Sequence, residues 1–197
     1  KKVDEVPITY VTNGIHTETW LAPELKALFD EYLGKNWTLR INDQAMWDGI
    51  IHIPDEELWD VMNQLRAGLI NFVRVRTRQR MLRLGMNPDD IQATAGLLNP
   101  KALTIGFARR FATYKRATLL FHDTERLKRI LYGDGTHPVQ FIFAGKAHPR
   151  DEPGKNFIRE VYHRSHEAGL AGHLIFIEDH DMNVARHLVA GSDVWMN

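Results

Sequence analysis

Val139-Gln-Phe-Ile-Phe-Ala144, preceded by Pro138 and followed by Gly145, decides the fold. Apolar side chains fill both alternating sets of positions, so a strand made from this stretch is buried on both faces. That pattern belongs to parallel sheets covered by helices on each side. Two further stretches repeat it. Ala102 to Ala108 lies upstream and His173 to Ile177 downstream, and Asp193 to Met196 begins a fourth. Between them the apolar spacing changes to that of helices, over Tyr114 to Tyr132, Gly154 to Ala168 and Met182 to Ala190. Strands alternating with helices predict βαβ units and right-handed crossovers. The expected class is α/β: a helical first half followed by a parallel Rossmann-like sheet.

Upstream of Asn99-Pro100 the chain changes character. Pro7 to Thr12 is a short β-prone run closed by the turn signal Asn13-Gly14. A helix is expected from Pro23, with Leu25, Leu28, Phe29, Tyr32 and Leu33 as its apolar stripe and Gly34 as its stop. A longer helix starts near Pro54, with Asp55, Glu56 and Glu57 in its first turn, where the helix dipole favours negative charge. Its buried face is read as Leu58, Val61, Met62, Leu65, Leu69, Phe72 and Val73. Five arginines between Arg74 and Arg83 read as a solvated face or as partners of acidic neighbours. Asn87-Pro88-Asp89-Asp90 has the cap, proline and acidic turn of another short helix. The expected division is 1–99, the end of one domain with a helical connection, and 100–197, the first part of a Rossmann-like domain.

Composition narrows the function classes. Lys+Arg equals Asp+Glu at 25 each, so no net field favours nucleic acid. The chain lacks cysteine, which excludes disulfides and thiolate chemistry, and its ten histidines fall in no spacing typical of a metal site. There is no apolar run of membrane-spanning length and no secretory pattern at Lys1 to Ile8, which fits a cytoplasmic protein. A start without Met and an end at Asn197 read as the bounds of a piece of a longer protein.

Parallel sheets bind ligands beyond the carboxyl ends of their strands. Three segments fall there: Arg109 to Arg116, Gly145 to Glu152, and Glu178 to Asp181. The first two are basic. Arginine forks two N–H groups onto a phosphate, lysine adds a mobile charge, and a helix start near Tyr114 would add free N–H groups. The reading is an anion site, with structural pairing of Arg109, Arg110 and Lys146 to acids as the bland alternative. Neither a dinucleotide glycine fingerprint nor a Walker lysine motif is present.

At these residues the sequence resembles a known family. Gly106-Phe-Ala-Arg-Arg-Phe-Ala-Thr-Tyr-Lys-Arg-Ala-Thr-Leu-Leu-Phe121 is similar to the signature opening the C-terminal domain of α-glucan (glycogen, starch and maltodextrin) phosphorylases. Phe143 to Lys155, Asn183 to Asn197 and Tyr10 to Leu21 resemble further segments of the shorter bacterial and archaeal branch. The resemblance implies a glycosyltransferase-B architecture and reversible phosphorolysis of terminal α-1,4-glucosyl units, giving glucose 1-phosphate. It implies pyridoxal phosphate as cofactor, and α-1,4-glucan and inorganic phosphate as partners; an oligomer is compatible with it. By motif position Arg110 and Lys115 match the phosphate-handling pair. Arg109, His180 and Met182 match cofactor contacts, and Asn13, Gly14, His16 and Lys146 match substrate contacts. The family's cofactor lysine has no counterpart here, so the chain by itself is expected to be inactive. A non-catalytic sugar- or phosphate-binding module and a nucleotide-sugar glycosyltransferase of the same architecture remain as alternatives.

Overall fold

The computed structural model describes residues 9–197. Short α1 (Thr17–Trp20) and α2 (Pro23–Tyr32) lead through α3 (Gln44–Trp47) to the 29-residue α4 (Asp55–Arg83) and to α5 (Pro88–Ala93). Then come β1 (Leu103–Ala108), α6 (Thr124–Tyr132), β2 (Val139–Ala144), α7 (Glu152–Arg164), β3 (Leu174–Ile177), α8 (Met182–Gly191) and β4 (Val194–Trp195). All strand pairs are parallel, in the order β3-β2-β1-β4.

That order explains the layers. The chain steps from β1 to β2 to β3 in one direction, then returns past them to β4. Right-handed crossovers put helices of opposite stepping direction on opposite faces. Phe141 and Phe143 of β2 accordingly join Leu127 and Leu131 of α6 and Val161 of α7 in one core. Ile142 and Ala144 join Val184 and Leu188 of α8, and Leu69, Ile70 and Val73 of α4, in the other. The two-sided apolar pattern of Val139 to Ala144 is the sequence image of this burial. Its polar exception, Gln140, is buried and fully used: Nε2 donates to the Asn99 carbonyl (2.9 Å) and Thr104 Oγ1 (2.8 Å), and Oε1 accepts from Asn99 N (2.8 Å). A satellite core of Phe29, Trp37 and Trp47 packs edge to face beneath α2, with centroids 5.5–6.1 Å apart.

α4 crosses the sheet from strand starts to strand ends. At its first half Arg66 is buried, donates from Nε to the Pro100 carbonyl (2.9 Å) and pairs with Asp193. Asp193 also accepts from Thr104 N (2.8 Å) and donates its own N–H to the Thr104 carbonyl (2.9 Å). One ion pair therefore joins α4 to the first residues of both β1 and β4. At the other end Arg76 donates to the carbonyl of Asp179 (2.8 Å), and Arg80 Nε to Glu178 Oε2 (2.6 Å). Arg74 donates to the carbonyls of Leu97 and Leu98. Three of the five arginines are thus paired, two of them holding the loop after β3 against the helix, while Arg78 and Arg83 are exposed.

Several expectations need correction. Thr9 to Thr12 form no strand, and Pro7 and Ile8 lie outside the described residues. Leu58 is exposed, while Ile70 and Arg66 are buried on α4. The expected helix over Tyr114 to Tyr132 is broken into a 3₁₀ turn at Thr113–Lys115, another at Leu119–Asp123, and α6. Arg116 sits between them at φ +51°, a left-handed conformation that ends any helix. Asp123 then caps α6 by accepting from Arg126 N (2.9 Å). The helix expected from Gly154 starts at Glu152, because the Asp151 side chain caps it at Gly154 N (2.9 Å). It ends at Arg164, four residues before the expected Ala168.

Replacing Arg66 by Ala leaves Asp193 charged and uncompensated, and should cost about 3–5 kcal/mol. Equilibrium urea unfolding of the variant checks this, and a loss below about 1 kcal/mol would contradict the role assigned to the pair.

Candidate functional site

In a parallel sheet every strand points one way, so the segments after β1, β2, β3 and β4 share one edge. Where the strand order reverses, between β1 and β4, a crevice opens beyond the carboxyl ends. It encloses about 600 Å³ and is lined by Arg109, Tyr114, Lys115, Arg116, Met196 and Asn197 over a floor that includes Phe107.

Arg109, Lys115 and Arg116 line it, and Arg110 and Lys146 follow β1 and β2 on the same edge. Among the described residues no carboxylate lies within ion-pairing distance of Arg109, Arg110, Lys115, Arg116 or Lys146. This disfavours the bland alternative of structural pairing. The partners they have are neutral. Arg109 donates to the Asn197 side chain. Arg110 Nη2 reaches Tyr114 Oη at 3.4 Å, and the Lys115 ammonium stands 4.5 Å from the Tyr114 ring centre. Tyr114 therefore links the two cations singled out from the sequence, an arrangement their spacing did not reveal. Its hydroxyl pKa is lowered, first by the Arg110 hydrogen bond and then by the Lys115 charge. Near Tyr114 a short 3₁₀ turn, Thr113–Lys115, stands where a longer helix start was expected. Lys115 N and Arg116 N donate to the carbonyls of Ala112 and Thr113 in the 3₁₀ turn.

Lys146 is exposed, and its carbonyl accepts from Phe111 N (2.9 Å), which fastens the loop after β2 to the loop after β1. His180 follows β3. Its Nε2 is buried without a hydrogen-bond partner, and its pKa is held below 6.5. Burial is the main cause; Lys146 and Arg76 act in the same direction, and Asp181 opposes them. Asp181 itself caps α8 by accepting from Val184 N (2.8 Å), which lowers its carboxyl pKa. Met182 is exposed at the start of α8. Arg109, Arg110, Lys115, Lys146, His180 and Met182 thus all stand at the carboxyl edge.

Of these, Arg109 and Lys115 line the crevice and Arg110 reaches Tyr114 at its rim, while Lys146, His180 and Met182 stand on the same edge outside its lining. Asn13, Gly14 and His16 do not line it either. Asn13 and Gly14 are exposed, and His16 bonds Thr19 Oγ1 through Nδ1 (2.8 Å). His16 lines a separate cavity of about 580 Å³ with Trp20, Gln64, Arg186 and His187, between the α1–α2 segment and helices α4 and α8. Among the described residues no three His, Asp or Glu side chains converge as a metal site, and no helix is long and apolar enough to cross a membrane.

These features define an α/β protein with a four-stranded, doubly wound parallel sheet and a cationic crevice at its switch point. Comparison with known proteins narrows the class. The chain is 45% identical to the maltodextrin phosphorylase of Thermococcus litoralis over 195 residues, which is 99% of this chain and 23% of that protein. It is 42% identical to the glycogen phosphorylase of Aquifex aeolicus over 196 residues, 100% of this chain and 28% of that protein. Identity to the glycogen phosphorylase of Mycobacterium tuberculosis is 39% over 194 residues, 98% and 22% of the respective lengths. No family model matches. The chain is a homologue of one segment of the glycogen and maltodextrin phosphorylases, and spans 22–28% of the length of these relatives.

The depressed His180 pKa has a consequence for stability. As pH falls, the unfolded chain takes up this proton first, so the contribution is complete above pH 6.5 and is lost as pH drops through that value toward the folded pKa. The drop in Tm between about pH 7.5 and about pH 5.5 should be smaller in His180→Gln than in the native chain. Equal drops in thermal unfolding curves would contradict this.

Proposed function

We propose that this chain is part of an α-glucan phosphorylase, an enzyme that reversibly phosphorolyses terminal α-1,4-glucosyl units to glucose 1-phosphate. The observation that carries the reading is the uncompensated cation set at the switch-point crevice, in a chain homologous throughout to glycogen and maltodextrin phosphorylases. An open crevice lined by unpaired arginine and lysine attracts a dianion, and a phosphate group supplies one.

In this reading Arg110 and Lys115 hold inorganic phosphate. Phosphorolysis brings phosphate toward a sugar centre that becomes positive, and fixed cations limit the repulsion between the phosphates gathered there. Tyr114 keeps both cations near one another before phosphate arrives. Asn13, Gly14 and His16 are assigned to the glucan side on the resemblance, and Lys146 to substrate binding at the sheet edge. The division at residue 99 then separates a glucan-facing segment from the phosphate-binding sheet.

The residues at the edge also fit the phosphate of pyridoxal phosphate: Arg109 faces the crevice, and His180 has an unpartnered buried ring nitrogen beside Lys146. Arg109, His180 and Met182 are the residues of this chain that would hold it. When bound, that group supplies a phosphate able to exchange a proton with the substrate phosphate. The lowered pKa keeps His180 neutral near pH 7, so its ring can accept or donate one hydrogen bond without adding charge.

Arg110→Lys in the full-length holoenzyme keeps the charge and loses the planar fork. Its kcat for phosphorolysis should fall by roughly a hundredfold, about 3 kcal/mol, if the contact strengthens in the transition state. Because Arg110 is exposed, its Tm should stay within about 2 °C of the native value. Unchanged kinetics with a lowered Tm would instead make Arg110 a structural residue.

A further inference from the structure

We propose that Gly145 is a positioning residue for the Arg109–Arg110 cation pair. This inference rests on the phosphate reading of the crevice. Gly145 is the first residue beyond β2, at φ +151°, a conformation L side chains rarely adopt. The backbone of the loop after β1 lies directly on it. A Cβ at residue 145 would fall 2.8 and 2.9 Å from two ring carbons of Phe111, and closer still to the Arg109 carbonyl oxygen.

Phe111 has nowhere to retreat. The Phe111 ring is fully buried and meets Phe107 and Phe176 edge to face, at 5.8 and 5.9 Å between centroids. Its N–H is bonded to the carbonyl of Lys146, the neighbour of Gly145 (2.9 Å). Its own carbonyl presses on a second side-chain-free position: a Cβ on Gly154 would stand 2.5 Å from Phe111 O. Phe111 is therefore held between the ends of two glycine-marked segments, and Arg109 and Arg110 are the residues immediately before it. The absence of a side chain at residue 145 fixes how far the guanidinium groups stand from the end of β2. A methyl group there must push the Arg109 carbonyl outward, and both arginines with it, while the core and sheet register stay in place.

Gly145→Ala in the full-length holoenzyme should raise the KM for inorganic phosphate at least about tenfold and lower kcat, since misplacement of a bound dianion by a fraction of an ångström carries that scale of penalty. The KM for maltodextrin should stay within about twofold of the native value, because only the anion side moves. Inorganic phosphate, which raises the Tm of the native enzyme by binding the folded state, should raise that of the variant much less. A G145A enzyme that binds phosphate normally, with or without a lower Tm, overturns the proposal. If G145A does not fold, Phe111→Leu decides, because it loosens the same interlock from the other side: a raised phosphate KM supports the proposal and an unchanged one overturns it. Arg110→Lys, measured alongside, separates the two levels of argument. Normal phosphate kinetics in R110K overturn the phosphate reading and this inference with it; an impaired R110K beside a normal G145A overturns the positioning role alone.

Discussion

The buried pair of Arg66 with Asp193 is the constraint on which the rest of the structure depends. Burying two charges is costly, and mutual attraction offsets the cost only where the remaining donors and acceptors are also used. Here they are: Arg66 also reaches the Pro100 carbonyl and the Asn63 side chain, and Asp193 also holds Thr104 N. The pair sits where α4, β1 and β4 meet. β4 contributes only Val194 and Trp195 to the sheet, so ladder bonds alone hold it weakly. Fixing Asp193 fixes the start of β4 beside β1, and with it the side wall of the crevice formed by Met196 and Asn197.

From that junction the chemistry sorts by position along the same molecule. Four arginines on α4 have partners, while Arg78 and Arg83 are exposed: Arg66 pairs with Asp193, Arg74 with carbonyls, and Arg76 and Arg80 with the acidic loop after β3. The basic groups after β1 and β2 lack acidic partners among the described residues. Arg109, Arg110, Lys115 and Arg116 all follow one strand, so positive charge without a paired carboxylate is gathered at this edge although Lys+Arg and Asp+Glu balance overall. The acids that might have quenched it are held elsewhere. Glu178 is engaged by Arg80, and Asp181 is spent on the α8 cap. Electrostatic complementarity for a dianion follows from where the acids are tied as much as from where the cations stand.

Much of the sheet was legible in the sequence because burial on both faces leaves a two-sided apolar pattern, and Val139 to Ala144 carries it plainly. β1 and β3 were bounded to within a residue for the same reason. The asparagine and proline opening α5 were legible too, since the Asn87 side chain accepts from Asp89 N (2.9 Å) as a cap should. What failed was the stretch after β1. Tyr114 to Tyr132 has helix-compatible apolar spacing, but the left-handed turn at Arg116 accompanies the packing of Ala117 and Phe121 into the core, and nothing local to arginine announces it. The long helix misled at its start for a related reason: Leu58 lies beyond the sheet's reach, while Arg66, polar in any pattern, is the residue buried there. At the site, residue type exposed Arg109, Arg110 and Lys115. The linking role of Tyr114 and the close approach at Gly145 depend on how two loops far apart in sequence meet, which periodicity does not encode.

The central claim is that the uncompensated cations beyond β1 form a phosphate site. The most direct test is a crystal structure of the full-length protein with inorganic phosphate bound. The account predicts a phosphate at the β1–β4 crevice, with oxygens within about 3 Å of both the Arg110 guanidinium and the Lys115 ammonium. Phosphate bound elsewhere, with those two side chains turned to solvent or paired with carboxylates, would contradict it.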